Sequence, residues 1–317
     1  MNETLNLISR VIPIFLLLGI GGLINKKRIL TDNAIENLKK LVVNFALPSV
    51  LFLTFLRLEL QPSHIIIVIV MILLNVFLLI YGSKLQKRVS KNHEYFKFLI
   101  PGFEYGMLGW SLFSGAYGIA NAGSIAIIDL GHELFIWLLF VPIMLRRRDG
   151  VSDTKTTVSM VIKSPVLMGI FLGIIFNLLN FKDFFFNFWF GNSIVTTLDY
   201  LGALTVPIML IIIGYGVKIK KDSLKDLGIL LLTRMVVLIP IFFIVGYWLF
   251  LNVLNLSQIY LHALFTLLIL PPPFIVPIFM KRDGHESTYV NNMLTSYTLI
   301  SIVIFAIYYI FTGGSYI

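Results

Sequence analysis

Long apolar stretches constrain this chain more than any other feature. About 20 consecutive apolar residues cross a bilayer as one helix. We place such spans at residues 4–25, 41–56, 65–83, 98–119, 123–145, 164–180, 194–217, 227–250, 259–280 and 289–311. Of the 317 residues, 58% are hydrophobic and only 13% are charged, whereas about a quarter are charged in soluble domains. The sequence therefore predicts an all-α polytopic membrane protein with ten transmembrane helices.

The basic residues predict how these helices are oriented. Of the 25 Lys and Arg residues, 21 fall in the connections after the first, third, fifth, seventh and ninth spans. Cytoplasmic connections are the ones enriched in Lys and Arg. We therefore expect a multi-pass protein of the plasma membrane with both termini outside the cell. The net charge of +9 then reflects topology, and no nucleic-acid partner is predicted.

The residue inventory argues against several kinds of chemistry. The chain has no cysteine, which excludes disulfides, thiolate metal sites and cysteine nucleophiles. Gly-x-Ser-x-Gly, His-Glu-x-x-His and phosphate-binding motifs are all missing from the sequence. We predict that the protein is not an enzyme and that it has neither a cofactor nor a metal site.

Similar segments recur roughly 155–165 residues apart, at a spacing that indicates an internal repeat. "NFALPSVLFL" (44–53) is similar to "GALTVPIMLI" (202–211), which aligns Pro48 with Pro207. Five spans in each half would invert the second repeat, so we place the repeats at residues 1–150 and 151–317. Inverted repeats with interrupted helices are typical of secondary transporters that bind substrate at the midplane. The two aligned prolines either kink their helices or lie near such a site.

The fourth and ninth spans are predicted to be interrupted. The ninth contains "PPPFIVP" (271–277), and proline removes a backbone N–H and clashes with the preceding turn. The fourth contains "FEYGMLGWSLFSGAYG" (103–118), in which Gly106 and Gly109 are expected to flank a break. Freed N–H groups there would suit an anion. The three consecutive prolines remove three N–H donors from the ninth span. The carbonyl groups that remain there would favour a cation or a protonated group.

Ionisable side chains within spans are candidates for proton coupling, because such groups are costly in a bilayer and mark ion paths. Glu104 either loads a proton or snorkels towards the surface. Asp129, His132 and Glu133 share one face of the fifth span and would act as a proton relay or as a polar packing seam. A metal site is the third alternative, although two acids and one histidine are a weak zinc signal. Arg234 in the eighth span either provides a countercharge or snorkels.

An ordered set of motifs resembles the auxin efflux carrier family, whose bacterial members include malate and malonate permeases. The set comprises "NFALPSVLF", the Gly-x-x-Gly of the fourth span, "IIDLGHELFIW" (127–137), "SPVLMGIFLGIIF" (164–176), "LGALTVPIMLIIIG" (201–214) and the proline-rich ninth span. The resemblance covers residues 10–312, approximately the whole chain. It implies two inverted five-helix repeats, broken fourth and ninth helices that cross at the midplane, and elevator-type alternating access.

The resemblance also implies an organic-anion site beside that crossing. The expected substrate-binding residues are Pro48, Glu104, Tyr105, Gly106, Gly109, Ser111, Pro207, Pro271, Pro272, Pro273 and Phe274. The expected proton-coupling residues are Glu104, Asp129, His132, Glu133 and Arg234. The chain departs from the family pattern where Glu104 and Ser111 replace an asparagine and a proline, and where Ile275 replaces an asparagine.

We therefore expect a secondary transporter of small organic anions, such as malate or malonate, coupled to H⁺. Two alternatives remain open at this point. One is a sodium-coupled carrier of the bile-acid type, and the other is a transport-inactive sensor that keeps the fold. The expected partners are the substrate, the coupling ion (H⁺ or Na⁺) and the lipid bilayer. A second copy of the chain, forming a homodimer, is a further candidate partner.

Overall fold

The structure is a computed structural model that describes residues 2–149, 163–216, 224–281 and 284–312. Throughout these ranges the regular elements are all helices, as predicted. The basic connections at 150–162 and 217–223, together with Arg282, lie outside the described residues.

Most of the predicted spans coincide with long apolar helices. Among the described residues, six helices are long and apolar enough to cross a membrane: Asp32–Arg57, Pro62–Val89, Ile119–Arg148, Trp189–Gly216, Leu224–Val253 and His285–Thr312. Pro165–Leu178 and Gln258–Ile269 are shorter apolar helices, and Asn2–Lys27 covers the first predicted span. The described part of the chain is thus all-helical and the protein is a multi-pass membrane protein, while the number of ten crossings stays a prediction.

Local sequence signals explain where several helices begin. The Thr31 hydroxyl accepts the N–H of Ala34 at 3.2 Å and caps the helix Asp32–Leu41. Ser164 caps Pro165–Leu178, and Pro165 occupies a first-turn position where its missing N–H costs nothing. These caps satisfy N–H groups that a helix start otherwise leaves without partners.

Contacts divide the chain into two compact units. The first comprises Met1–Gln61, Gly106–Ala126 and Ser159–Gly216. The second comprises Pro62–Tyr105, Ile127–Val158 and Val217–Ile317. Each unit draws segments from both predicted repeats, and the chain passes from the second unit to the first within the fourth predicted span.

Glycines bring two helices of the first unit close together. A Cβ atom at Gly169 would lie 2.5 Å from the carbonyl oxygen of Pro48, and one at Gly173 would lie 2.6 Å from that of Phe52. Only glycine permits this approach between Pro165–Leu178 and Leu47–Arg57. Small residues serve the same purpose wherever membrane helices pack backbone to backbone.

The second unit contains both interruptions. Residues 270–275, which we call the second break, are not helical and separate Gln258–Ile269 from Val276–Phe279, as the prolines predicted. The first break, residues 100–104, ends before the π-helical turn Tyr105–Gly109. The prediction that Gly106 and Gly109 flank the first break was therefore wrong.

The first break has its own local cause. Pro101 lacks a donor, and Gly102 adopts a φ of 75°, which L side chains avoid. A Cβ atom at Gly102 would also come within 2.8 Å of the Pro273 side chain. The glycine of the Pro-Gly pair, rather than the Gly-x-x-Gly motif, allows the backbone to turn here.

Candidate functional site

Glu104 joins the two breaks. Its backbone N–H donates to the carbonyl oxygen of Pro271 at 2.9 Å. Its carboxylate Oε2 accepts the N–H of Phe274 at 2.6 Å, and this N–H is the first one after the three prolines. The Glu104 side chain is buried. A carboxylate predicted from sequence as a coupling residue thus lies where both helices lose their regular hydrogen bonds.

His132 and Asp129 support the residue that precedes Glu104. The N–H of Phe103 donates to Nε2 of His132 at 3.0 Å, and Nδ1 of His132 lies 2.8 Å from Oδ1 of Asp129. Because Nε2 accepts a hydrogen bond, the ring proton belongs on Nδ1, which donates to the carboxylate. Protonating Nε2 would place two donors face to face and break the bond to Phe103.

Arg234 binds the carbonyl groups of both breaks. Its Nη1 donates to the oxygen of Leu99 at 3.0 Å, and its Nη2 donates to the oxygens of Gly102 and Leu270 at 3.2 and 3.1 Å. The side chain is fully buried, so it does not snorkel. The carbonyl of Leu270, which precedes the prolines, therefore accepts a hydrogen bond from a cationic side chain.

Aromatic rings surround the charge of Arg234. The rings of Phe103 and Tyr297 lie 5.0 and 5.1 Å from its Cζ atom, which is within the range of a cation–π contact. In the part of the chain that the structure describes, no carboxylate lies within salt-bridge distance of this guanidinium. Backbone carbonyl dipoles and aromatic rings, rather than a paired carboxylate, stabilise the positive charge of Arg234.

Asn75 is a site residue that the sequence analysis missed. Its Oδ1 accepts the N–H of Gly102 at 2.9 Å, and its Nδ2 donates to the carbonyl oxygen of Met71 at 2.8 Å. The side chain is completely buried. A lone amide in the apolar stretch "LLNVFLL" (73–79) was the signal that could have identified it.

The predicted cluster of Asp129, His132 and Glu133 is compact. One ligand atom from each residue lies within 4.8 Å of the other two. Glu133 Oε2 accepts the indole N–H of Trp137 at 2.9 Å. Oδ2 of Asp129 is buried and has no hydrogen-bond partner within the described residues. This oxygen is an acceptor available to a proton or a cation.

Other predicted site residues are placed in both units. In the second unit, Tyr105, Pro271, Pro272 and Pro273 are buried and Phe274 is half-buried. The first unit contains Pro48, Gly106, Gly109, Ser111 and Pro207. The hydroxyl of Ser111 donates to the carbonyl oxygen of Met107 at 2.8 Å, and Pro48 borders an apolar cavity of about 490 Å³. Their roles in substrate binding stay predictions.

Comparison with known proteins adds one finding. A protein-family model described as membrane transport protein matches residues 6–309, which is nearly the entire chain. No curated protein sequence matches the chain.

Proposed function

The chain belongs to the auxin efflux carrier family of membrane transport proteins, and from this premise we propose that it is a proton-coupled secondary transporter of small organic anions. Membership makes the protein a membrane transporter rather than an enzyme. The proposal adds dicarboxylates such as malate or malonate as substrates. It also includes a fold of ten helices in two inverted repeats, elevator-type alternating access, a plasma-membrane location with both termini outside, and assembly as a homodimer.

The observation that carries the proposal is the Glu104 carboxylate between the two breaks. When ionised, it accepts the N–H of Phe274 and repels an anionic substrate. When protonated, its carbonyl oxygen can still accept that N–H, while its O–H becomes a donor for a substrate carboxylate. Proton and anion would then bind together and leave together, which is the thermodynamic requirement for symport.

Arg234 supports the choice of an anion. Its buried charge has no paired carboxylate among the described residues, while its N–H groups satisfy the carbonyls of the breaks. An anion beside the breaks would therefore gain attraction in a medium of low dielectric constant. In this proposal the positive charge of Arg234 attracts the anionic substrate, while its N–H groups stay hydrogen-bonded to the backbone carbonyls of the breaks.

Sodium is the second candidate for the coupling ion, because of Asp129. Its unpartnered buried Oδ2, close to His132 and Glu133, offers an oxygen ligand to a cation. Hard cations prefer oxygen ligands. The sodium alternative thus has an observation of its own, whereas the transport-inactive sensor is supported only by the replaced family residues.

Uptake into proteoliposomes tests the proposal. Labelled malate and malonate are offered with a proton gradient, with a sodium gradient, or with neither. We expect accumulation only with the proton gradient. The Glu104→Gln variant keeps an acceptor for Phe274 but cannot carry a proton, so its uptake should lose its pH dependence.

The exposed acid Glu59 provides the matched control, and Glu59→Gln should transport normally. Unchanged pH dependence in Glu104→Gln would rule out the coupling role of Glu104. Uptake that follows sodium alone would favour the sodium carrier. Binding of the dicarboxylates without flux would favour the sensor.

A further inference from the structure

A second group of ionisable side chains lies in the second unit, outside the site described above. Its members are His93, in the connection after Pro62–Val89, and His285 and Glu286, in the first turn of Gly284–Thr312. One ligand atom from each of the three lies within 4.8 Å of the other two. His285 and Glu286 are adjacent, but His93 lies 193 positions before Glu286, so the pattern of the sequence does not predict the group.

We propose that His93, His285 and Glu286 bind a divalent transition-metal ion such as zinc. Imidazole nitrogen favours zinc, nickel and copper over magnesium and calcium, and a histidine–histidine–glutamate set is typical of zinc sites with one open position. This metal centre is independent of the proposed transport function.

The distances between the ligand atoms suit one small ion. Two ligands about 2.1 Å from a tetrahedral zinc are about 3.4 Å apart. Oε1 of Glu286 lies 3.2 Å from Nδ1 of His93 and 3.9 Å from Nδ1 of His285. The His285 side chain is 73% exposed, so it can move the few tenths of an ångström that the second distance requires.

Neighbouring groups orient two of the three ligands. The N–H of Tyr95 donates to Oε2 of Glu286 at 3.1 Å, which leaves Oε1 directed at the histidines. The His93 ring is stacked on the Tyr289 ring, with 3.6 Å between centroids. These contacts reduce the cost of ordering the ligands when a metal binds.

Asp226 occupies the outer position expected at a metal site. Its Oδ2 lies 4.0 Å from Nε2 of His93, on the opposite side of the ring from Glu286. Histidines that bind a metal through one nitrogen usually present the other N–H to a carboxylate. Metal binding at Nδ1 of His93 would move the ring proton to Nε2, towards Asp226, so Asp226 acts as a positioning residue.

Zinc binding to the full chain in lipid nanodiscs, after removal of any affinity tag, tests this inference by calorimetry. We expect one zinc ion per chain and a rise in melting temperature with zinc. His285→Ala should weaken zinc binding at least about tenfold and abolish the rise in melting temperature. Because the His285 side chain is exposed, this substitution should leave the fold intact. Asp226→Asn should weaken binding by about 10–100-fold, as other outer-shell changes do.

His64→Ala provides the matched control, because Nε2 of His64 contacts the Tyr260 hydroxyl and not this group. Its zinc affinity should equal that of the unmodified chain. His132→Asn tests the Asp129 cluster as a competing site. Zinc binding that persists in His285→Ala, that is lost in His132→Asn instead, or that is undetectable in the unmodified chain would each overturn the proposal.

Discussion

At the scale of single residues, polar side chains provide partners for the backbone groups that have no helical hydrogen bond in the first break. Asn75 and His132 accept the N–H groups of Gly102 and Phe103, and Arg234 donates to carbonyls. An unpaired buried backbone group costs about 1–3 kcal/mol. In a bilayer no water replaces the missing partner. An interrupted helix therefore requires this set of polar side chains.

The three carbonyls bound by Arg234 lead to a prediction about stability. Arg234→Lys keeps the charge but replaces the planar fork by a single ammonium group. We expect at least one carbonyl to lose its partner, at a cost of about 1–3 kcal/mol. The melting temperature of the purified variant in detergent should fall accordingly.

Arg57→Lys is the matched control for this measurement. Arg57 pairs with Asp199 at 3.0 Å, but the two side chains are 43% and 48% exposed. Exposed ion pairs contribute little, so we expect a change of about 0.5 kcal/mol or less. Equal stability losses in the two variants would contradict the structural role assigned to Arg234.

Sequence reasoning at this scale identified residues but not their partners. Glu104, Asp129, His132 and Arg234 stood out because ionisable groups within apolar spans are costly. Their hydrogen bonds join segments from four different parts of the chain. Asn75 was missed because an uncharged amide costs less to bury and gives a weaker signal.

At the scale of elements, the interrupted helices differ in how far they could be predicted. Three consecutive prolines exclude a helix whatever their surroundings, and the second break lies at these prolines. The first break was expected at Gly106 and Gly109 but lies at residues 100–104. Glycine permits a break without requiring one, and the Pro101–Gly102 pair together with its packing against Pro273 determined the place of the break.

The glycine contacts of the first unit give a prediction for helix packing. Gly169→Leu would force apart Pro165–Leu178 and Leu47–Arg57, because a Cβ atom there already meets the Pro48 carbonyl. Overpacking of this kind costs about 1–3 kcal/mol. We expect a lower melting temperature and less monodisperse protein in size-exclusion chromatography.

Gly19→Leu is the control for the same substitution at an exposed glycine. Gly19 lies in Asn2–Lys27, and a Cβ atom built there has no neighbour within 4 Å. Its variant should keep the stability of the unmodified chain. A Gly169→Leu variant as stable as Gly19→Leu would contradict the close packing.

At the scale of the whole molecule, the distribution of Lys and Arg predicts topology. The cysteine-free chain allows this to be tested with single introduced cysteines. Glu59 and Lys91 are both exposed and lie in consecutive connections predicted on opposite sides. In intact cells, an impermeant maleimide should label Glu59→Cys, and it should label Lys91→Cys only after permeabilisation.

Labelling of Lys91→Cys in intact cells, with Glu59→Cys protected, would reverse the predicted orientation. Labelling of both positions from outside would place Pro62–Val89 on the membrane surface and not across it. Each variant must also label fully in detergent, which shows that the cysteine itself is reactive.

The sequence by itself determined that the chain is a helical membrane protein of a transporter family, that its ninth span is broken, and which ionisable residues lie within apolar spans. These properties depend on composition, proline geometry and local spacing, which need no knowledge of distant contacts. Only the tertiary structure decided where the fourth span breaks, that Glu104 contacts Phe274, and that His93 approaches Glu286. Such pairings depend on which segments pack together, because hydrogen bonds form between neighbours in space.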